Sequence, residues 1–387
     1  MITIAIDIRL IGKKRTGDEI VFFELTKALL KEDKNNRYLL VTDTTDPAVL
    51  SVIHTRLECV GKENVEIVSL GDFPGGKNRF VWNLFSVPAF LLKRKVTVYH
   101  TQYILPFFVP KCTKMVTHIH DVSFVAHPDL ISWKDRLFLA LLIPPSLSRA
   151  ALIVTPSEST KNEIIKYYGT RQEKIAVIPN AVSADFLKGS EGSRGEEYLR
   201  EKYGLPKEFI LSVGTLQPRK NIPFLIRAFA RLKKQLPEAR LVIVGNRKAH
   251  HFDKGIDKAI KEEGVEESVL FPGYVDQADL PALIRLAKVF VFPSLYEGFG
   301  IPLLEAMSQG TPAAASDIPA LREVGGEAAL YFDPLNLASC EEKLYTLLTD
   351  SQTRNQLVLL GKERAQSFSW EKSAVLLRKQ YEKIASS

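Results

Sequence analysis

The chemistry-bearing residues of this chain concentrate between positions 288 and 317, KVFVFPSLYEGFGIPLLEAMSQGTPAAASD. Two carboxylates stand eight positions apart there, Glu297 in a loop and Glu305 about one turn into a short helix. Gly298 and Gly300 follow the first, and residues without a Cβ let the backbone approach a ligand closely. The helix that starts near Pro302 offers free N–H groups and the positive end of its dipole, which favour bound phosphate. Carboxylates accept hydrogen bonds from hydroxyls. Hydroxyls and phosphate together describe a sugar nucleotide. A plainer reading has Glu297 complementing the helix dipole and Glu305 solvated.

Three further groups could do chemistry. Arg219 and Lys220 are adjacent cations between the apolar run 209–214 and a helical pattern with Leu225, Ile226, Phe229 and Leu232 on one side. At a strand-to-helix turn such a pair makes a place for a diphosphate, although a surface basic pair is ordinarily just solvated. His118 and His120 end another apolar run, where doubly wound sheets place ligand-contacting residues. Period-two alternation puts both on one face, so one can be a core histidine and the other functional. His100 ends a similar run, VTVYH. Gly17, Asp18 and Glu19 open the first helical pattern; the two acids suit a helix start, repel phosphate, and predict hydrogen bonds to a neutral sugar acceptor or simply a charged cap.

The elements that must position these groups alternate. Strand patterns are predicted at 2–8, 38–42, 65–70, 96–100, 115–120, 152–155, 175–178, 209–214, 240–244, 268–271, 288–292 and 328–332, with another ending at Ser316-Asp317 and helical patterns between most of them. Such alternation predicts α/β architecture with mainly parallel sheets covered on both faces. Helices are expected at 18–31, 279–287 and 319–324, with two more after Pro334, the last around 370–384. Residues 188–197, rich in Gly, Ser and charge, mark a boundary between two domains, the default for 387 residues.

Composition narrows the class. A net charge of +7 permits attraction to nucleotides, anionic lipid or nucleic acid, but no clustered basic motif points to nucleic acid. Cys59, Cys112 and Cys340 are isolated, which suggests neither disulfides nor a zinc site and fits a reducing cytosol. MITIAIDIRL reads as a first strand instead of a secretory leader, and no apolar run approaches membrane-spanning length. Residues 77–95, KNRFVWNLFSVPAFLLKRK, mix aromatic and apolar residues with basic ends; peripheral contact with an anionic membrane or burial in the domain would each explain them. The expected location is cytoplasmic, with peripheral attachment to the inner membrane face as the variant.

The segment 293–312 resembles the E-x7-E signature of retaining GT-B glycosyltransferases of family 4, in the pattern P-S-x-x-E-G-F-G-x-P-x-L-E-A-M-x-x-G-T-P. Thr117-His118-Ile119-His120-Asp121, Ile178-Pro179-Asn180-Ala181-Val182 and Gly214 through Asn221 are similar to further motifs of that family. The departures are a missing second glycine at Thr16-Gly17-Asp18-Glu19, Ala181 for the usual glycine, and Thr215 where many relatives carry arginine. The resemblance implies a GT-B fold, two Rossmann-like domains facing across a cleft: 1–185 for the acceptor, rejoined by a helix at 370–387, and 186–369 for the nucleotide sugar.

It also implies roles. Lys220 and Arg219 would neutralise the leaving diphosphate, Glu305 would hold the ribose, and Glu297 with the backbone of Gly298, Phe299, Gly300 and Ile301 would lie against the donor sugar and diphosphate. Gly214 and Thr215 complete that turn, while Tyr274 and Val275 fall where the family contacts the base. His120 would reach toward the donor sugar, with Gly17, Asp18, Glu19 and His100 on the acceptor side. The implied reaction is retaining, metal-independent transfer of a hexosyl group, best matched to mannose from GDP-mannose, onto a sugar or lipid-linked saccharide hydroxyl in polysaccharide or glycoconjugate synthesis. No cofactor is expected. A non-catalytic sugar-nucleotide-binding subunit and a sugar-nucleotide epimerase of the same fold are the alternatives.

Overall fold

Runs of two to six residues, mostly apolar and β-branched, pair side by side in parallel throughout the chain. In the computed structural model residues 1–11, 17–72, 78–130, 133–188, 195–247 and 252–387 are described. Lys77 and most of the 188–197 boundary segment therefore lie outside the described residues. The chain divides into two compact units, Met1–Asn180 with Ser369–Ser387, and Ala181–Phe368.

The first unit holds β1 (Thr3–Asp7), β2 (Arg37–Thr42), β3 (Val65–Ser69), β4 (Val98–Gln102), β5 (Lys114–His118), β6 (Leu152–Thr155) and β7 (Ile175–Val177), in the order 3-2-1-4-5-6-7. All pairs are parallel. Strands such as β2 are buried on both faces, which is why they carry continuous apolar runs instead of alternation. Strand order reverses between β1 and β4, so the crevice at their carboxyl ends is where a ligand fits such a sheet. Helix α1 (Gly17–Glu32) buries Val21, Phe22, Leu25, Leu29 and Leu30 as its periodicity predicts.

The terminal helix Trp370–Ser386 packs in this unit. Its Ser373 hydroxyl donates to Pro179 O at 2.6 Å, and the fully buried Tyr381 hydroxyl lies 2.5 Å from His100 Nδ1. Burial holds the His100 imidazole neutral, its pKa pushed down to about 3. His100 therefore lies in the middle of β4 and not at its end as expected, with its ring buried and tied to the terminal helix.

Residues 78–95 are also more ordered than a helix broken at Pro88. A helical turn at Arg79–Val81 runs into a π-helical stretch, Trp82–Ser86, and then into α2 (Val87–Arg94). The Val87 N–H reaches back five residues to Trp82 O, and Pro88, which has no N–H to place, follows within the first two positions of α2.

The second unit holds β8 (Ile210–Val213), β9 (Leu241–Val244), β10 (Val269–Leu270), β11 (Val289–Phe292), β12 (Ala313–Ser316) and β13 (Ala329–Phe332), in the order 10-9-8-11-12-13, all parallel. Its reversal lies between β8 and β11. Helix α3 (Ile222–Gln235) and the site helix α4 (Ile301–Ser308) follow those two strands. Beyond Pro334 come α5 (Leu337–Thr349) and α6 (Ser351–Gln366) before the terminal helix, three helices instead of the expected two. Asp350 makes the difference: extended in backbone, it ends α5 and accepts from the Gln352 and Thr353 N–H groups to start α6. Helix α6 backs α4 closely, since a Cβ at Gly361 would stand 3.3 Å from Met307 Cγ.

Replacing Tyr381 by Phe leaves His100 Nδ1 buried without its partner and is expected to cost about 1–3 kcal/mol of stability. Tyr381→Ala adds a cavity, for about 3–5 kcal/mol. Urea unfolding measures both; a Tyr381→Phe variant as stable as the parent would show that the hydrogen bond contributes nothing.

Candidate active site

In the second unit, the carboxyl ends of β8 and β11 bring together groups far apart in sequence. After β8 a short 3-10 turn, Pro218–Lys220, presents both cations, and Asn221 at φ 56° turns the chain into α3. After β11, Pro293 stops the strand and the Glu297 loop folds back, its Leu295 N–H donating to Arg219 O at 2.8 Å. Glu297 then accepts from Lys220 Nζ at 2.5 Å and from Arg219 Nη1 at 3.0 Å. The Lys220 ammonium also lies 4.7 Å from the Phe292 ring centre. Burial would raise the Glu297 pKa, but the Lys220 and Arg219 charges and the Lys220 hydrogen bond outweigh it and hold the group ionised, down to about 2. The expected diphosphate cations and the expected sugar-facing carboxylate thus form one ion triad.

Gly300 sits at φ 119°, and a Cβ there would meet Leu321 Cδ2 at 2.5 Å, so only glycine lets the loop enter α4 this way. Phe299 packs edge-on against Phe368 with centres 5.6 Å apart, which places its ring in the core. Glu305, half-buried on α4, has no hydrogen-bond donor among the described residues. Burial alone pushes its carboxyl up to about 7. Two acids on one short segment are therefore driven in opposite directions, Glu297 by its cations and Glu305 by burial. Gly214 and Thr215 border the triad, with a Gly214 Cβ placed 3.7 Å from Lys220 Cε. Tyr274 is exposed and Val275 buried, so the side chain of the latter belongs to the core.

In the first unit, three imidazoles stack across the carboxyl ends of β4 and β5: His100 and His118 with centres 5.6 Å apart, His118 and His120 at 4.4 Å. Phe22 of α1 meets the first two edge-on. Burial, with the neighbouring imidazoles adding to it, holds His118 well below the ordinary histidine pKa. Of the two candidates sharing a face, His118 is fully buried with neither ring nitrogen bonded among the described residues, whereas His120 Nε2 meets Gln102 Oε1 at 3.2 Å. Gly17 is exposed, Asp18 half-buried and Glu19 buried in the first turn of α1.

Sequence reasoning missed Gln102, Tyr103 and a polar cluster at the end of β1. There Asp7 accepts from Arg9 Nη2 at 2.7 Å, Arg9 Nε at 2.9 Å, Thr101 Oγ1 at 3.1 Å and Tyr99 OH at 3.3 Å. Burial opposes ionisation of Asp7, but Arg9 and these hydrogen bonds keep its pKa below the usual range. The Arg9 guanidinium also stacks 4.2 Å over Trp82. Only the strand-end positions of Asp7 and Gln102 could have flagged them.

The opposed carboxylates make opposite predictions. Glu297→Gln leaves two cations facing a neutral amide in a buried site and is expected to cost about 3 kcal/mol at pH 7. In the parent, Glu297 adds stability above its unfolded pKa near 4.5 that is lost as pH falls toward 2. Glu305 has the reverse sign: its raised pKa costs stability as pH rises from 4.5 through 7. Glu305→Gln is expected to stabilise the protein at pH 8 by on the order of 1 kcal/mol and to change little at pH 4. Urea midpoints at both pH values check this; loss of stability at pH 8 in Glu305→Gln would contradict it.

The family model of Glycosyltransferase Family 4 matches residues 16–186, and that of Glycosyl transferases group 1 matches residues 196–364. The O-antigen chain mannosyltransferase B of Escherichia coli is 33% identical over 269 residues, 68% of this chain and 69% of that protein. The serotype-specific mannosyltransferase WbdA of the same species is 33% identical over 229 residues, 59% of this chain but only 28% of the relative. Among solved structures, sucrose-phosphate synthase of Thermosynechococcus elongatus superposes with a TM-score of 0.75 at 21% identity over 100% of both chains. WaaG, a glycosyltransferase involved in lipopolysaccharide biosynthesis, does so at 0.70 and 16% identity, over 99% of this chain and 100% of that one. The fold is GT-B, and the chain belongs to glycosyltransferase family 4.

Proposed function

We propose that this protein transfers a mannosyl group from GDP-mannose to a hydroxyl of a saccharide or lipid-linked saccharide, with retention of anomeric configuration. The buried Arg219–Lys220–Glu297 triad between two helix starts carries the reading, because it concentrates positive charge where a diphosphate would leave. The choice of mannose draws on the two Escherichia coli mannosyltransferases.

In this reaction the bond from C1 of the sugar to the diphosphate breaks and a bond from C1 to the acceptor oxygen forms. Negative charge grows on the leaving phosphate, where Lys220, Arg219 and the N–H groups of Gly298 to Ile301 would stabilise it. The same phosphate takes the acceptor's proton, so no side chain is assigned as general base. Glu305 accepts from the ribose hydroxyls, Tyr274 and Val275 border the base, and His120 contacts the donor sugar. Gly17, Asp18 and Glu19 belong to the acceptor side. Protein cations do the work that a divalent metal does elsewhere, and no cofactor is used.

The first unit also offers a surface for an anionic bilayer. Phe85, Leu92 and Phe108 are more than half exposed and line an apolar groove of about 470 Å³. Residues 78–95 and 104–118 contain no Asp or Glu, and Lys93, Lys95 and Lys111 are exposed beside the groove residues. Aromatic anchors with cations alone suit peripheral attachment to anionic lipid. No helix among the described residues is long and apolar enough to cross a membrane.

Transfer from GDP-mannose to a saccharide acceptor, followed by NMR of the product, tests the main reading; it is expected to persist in excess EDTA and to yield the α-anomer. Lys220→Met is expected to lower kcat at least 100-fold, and His120→Ala to lower kcat more than donor affinity. Donor binding without turnover toward any saccharide would reject it. Co-sedimentation with phosphatidylglycerol vesicles at low salt tests the surface: binding is expected for the parent and lost in a Phe85→Ser, Leu92→Ser, Phe108→Ser variant, and no binding by the parent removes the idea.

A further inference from the structure

Just past the end of β4 the backbone turns sharply at Tyr103, whose N–H donates to His118 O at 3.0 Å and whose carbonyl accepts from Thr117 Oγ1 at 3.1 Å. Tyr103 sits at φ 55°, a region that residues with a Cβ seldom occupy, and the Ile104 N–H reaches Gln102 O at 2.6 Å to close a three-residue γ-turn around it. Strain of this kind persists where the surroundings demand it, often at a functional site. What the turn achieves here is specific. It brings the Gln102 carboxamide to His120 Nε2 at 3.2 Å and lays the Tyr103 ring against the same imidazole, centres 5.7 Å apart. With His118 stacked at 4.4 Å, the His120 ring is gripped by three side chains.

With the Gln102 amide oxygen facing Nε2, the contact pairs an acceptor with a ring N–H, an arrangement that favours the proton on Nε2 and leaves the lone pair on Nδ1. Gln102 is the sole hydrogen-bond partner of the His120 ring among the described residues. The other groups nearby do not compete: Asp121 accepts from the Ser123 N–H at 2.9 Å and its hydroxyl at 2.7 Å, His100 is bonded to Tyr381, and Asp7 is engaged by Arg9.

We propose that Gln102 is a positioning residue that locks His120 in the Nε2–H tautomer, so that Nδ1 is the nitrogen that accepts a hydrogen bond from a sugar hydroxyl during transfer. The proposal rests on the reading of His120 as a donor-sugar contact; its direct signature is legible without that reading.

Long-range proton–nitrogen NMR of the 15N-histidine-labelled protein is expected to show His120 as Nε2–H. Gln102→Met, of similar length but without an acceptor, is expected to give mixed tautomers and a kcat about tenfold lower with donor KM unchanged, the loss of one neutral hydrogen bond. Gln102→Glu keeps an acceptor and is expected to restore the Nε2–H form and most of the turnover. An Nδ1–H parent, or a Gln102→Met protein with parental tautomer, would overturn the proposal, with an unchanged unfolding midpoint as the control. Altered tautomer with unchanged turnover would overturn the role of His120 while leaving the grip of Gln102 demonstrated.

Discussion

Lys220 and Glu297 can be buried only because they are buried together. Each is nine-tenths withdrawn from water, and taking either charge out of solvent alone would cost several kcal/mol. Their contact at 2.5 Å, with Arg219 on the second carboxylate oxygen, ties the turn after β8 to the loop after β11 across 77 residues of sequence. That tie sets the position of everything next to it: the Leu295 amide on Arg219 O, the glycine entry at Gly300 and the first turn of α4. Two cations against one carboxylate leave an excess of one positive charge at the carboxyl edge of the sheet. Under the proposed function, a pyrophosphate arriving there would meet cations already held in place, so that little reorganisation would be needed as charge develops on it.

The first unit solves the analogous problem with neutral groups. His100 and His118 stay uncharged because burial makes protonation too costly, and the stack can therefore hold imidazoles face to face without repulsion. The terminal helix is part of this arrangement, since Tyr381 supplies the hydrogen bond that His100 would otherwise lack. A residue near the end of the chain thus supports the wall on which His120 rests. The β1 end adds a charged counterpart, Asp7 with Arg9, made stable in burial by four donor groups instead of solvent.

Much of this was legible beforehand, and for local reasons. A strand buried on both faces must be apolar at nearly every position, so strands such as β2, β6, β9 and β11 announced themselves within one or two residues. The Glu297–Glu305 segment was equally plain, because glycines at 298 and 300, proline at 302 and glycine at 310 each answer a backbone demand at a fixed place along the chain. Where the structure differs from expectation, the deciding contact was local but subtle, as with Asp350 splitting one expected helix into two, or a strand ran on further than its apolar run, as β4 does past His100 to Gln102.

The amino-acid sequence by itself determined two doubly wound units, most of their strand ends, and the loop whose acids, glycines and helix start suit a sugar nucleotide, since each follows from residue type and spacing along a short stretch. Only the tertiary structure decided that Arg219, Lys220 and Glu297 are one ion triad, that Glu305 leans toward its protonated form while Glu297 is held ionised, and that His100 and His118 are core while His120 is held by Gln102 and Tyr103. Those facts depend on burial and on partners up to hundreds of residues away, and neither quantity is a property of any local stretch of sequence.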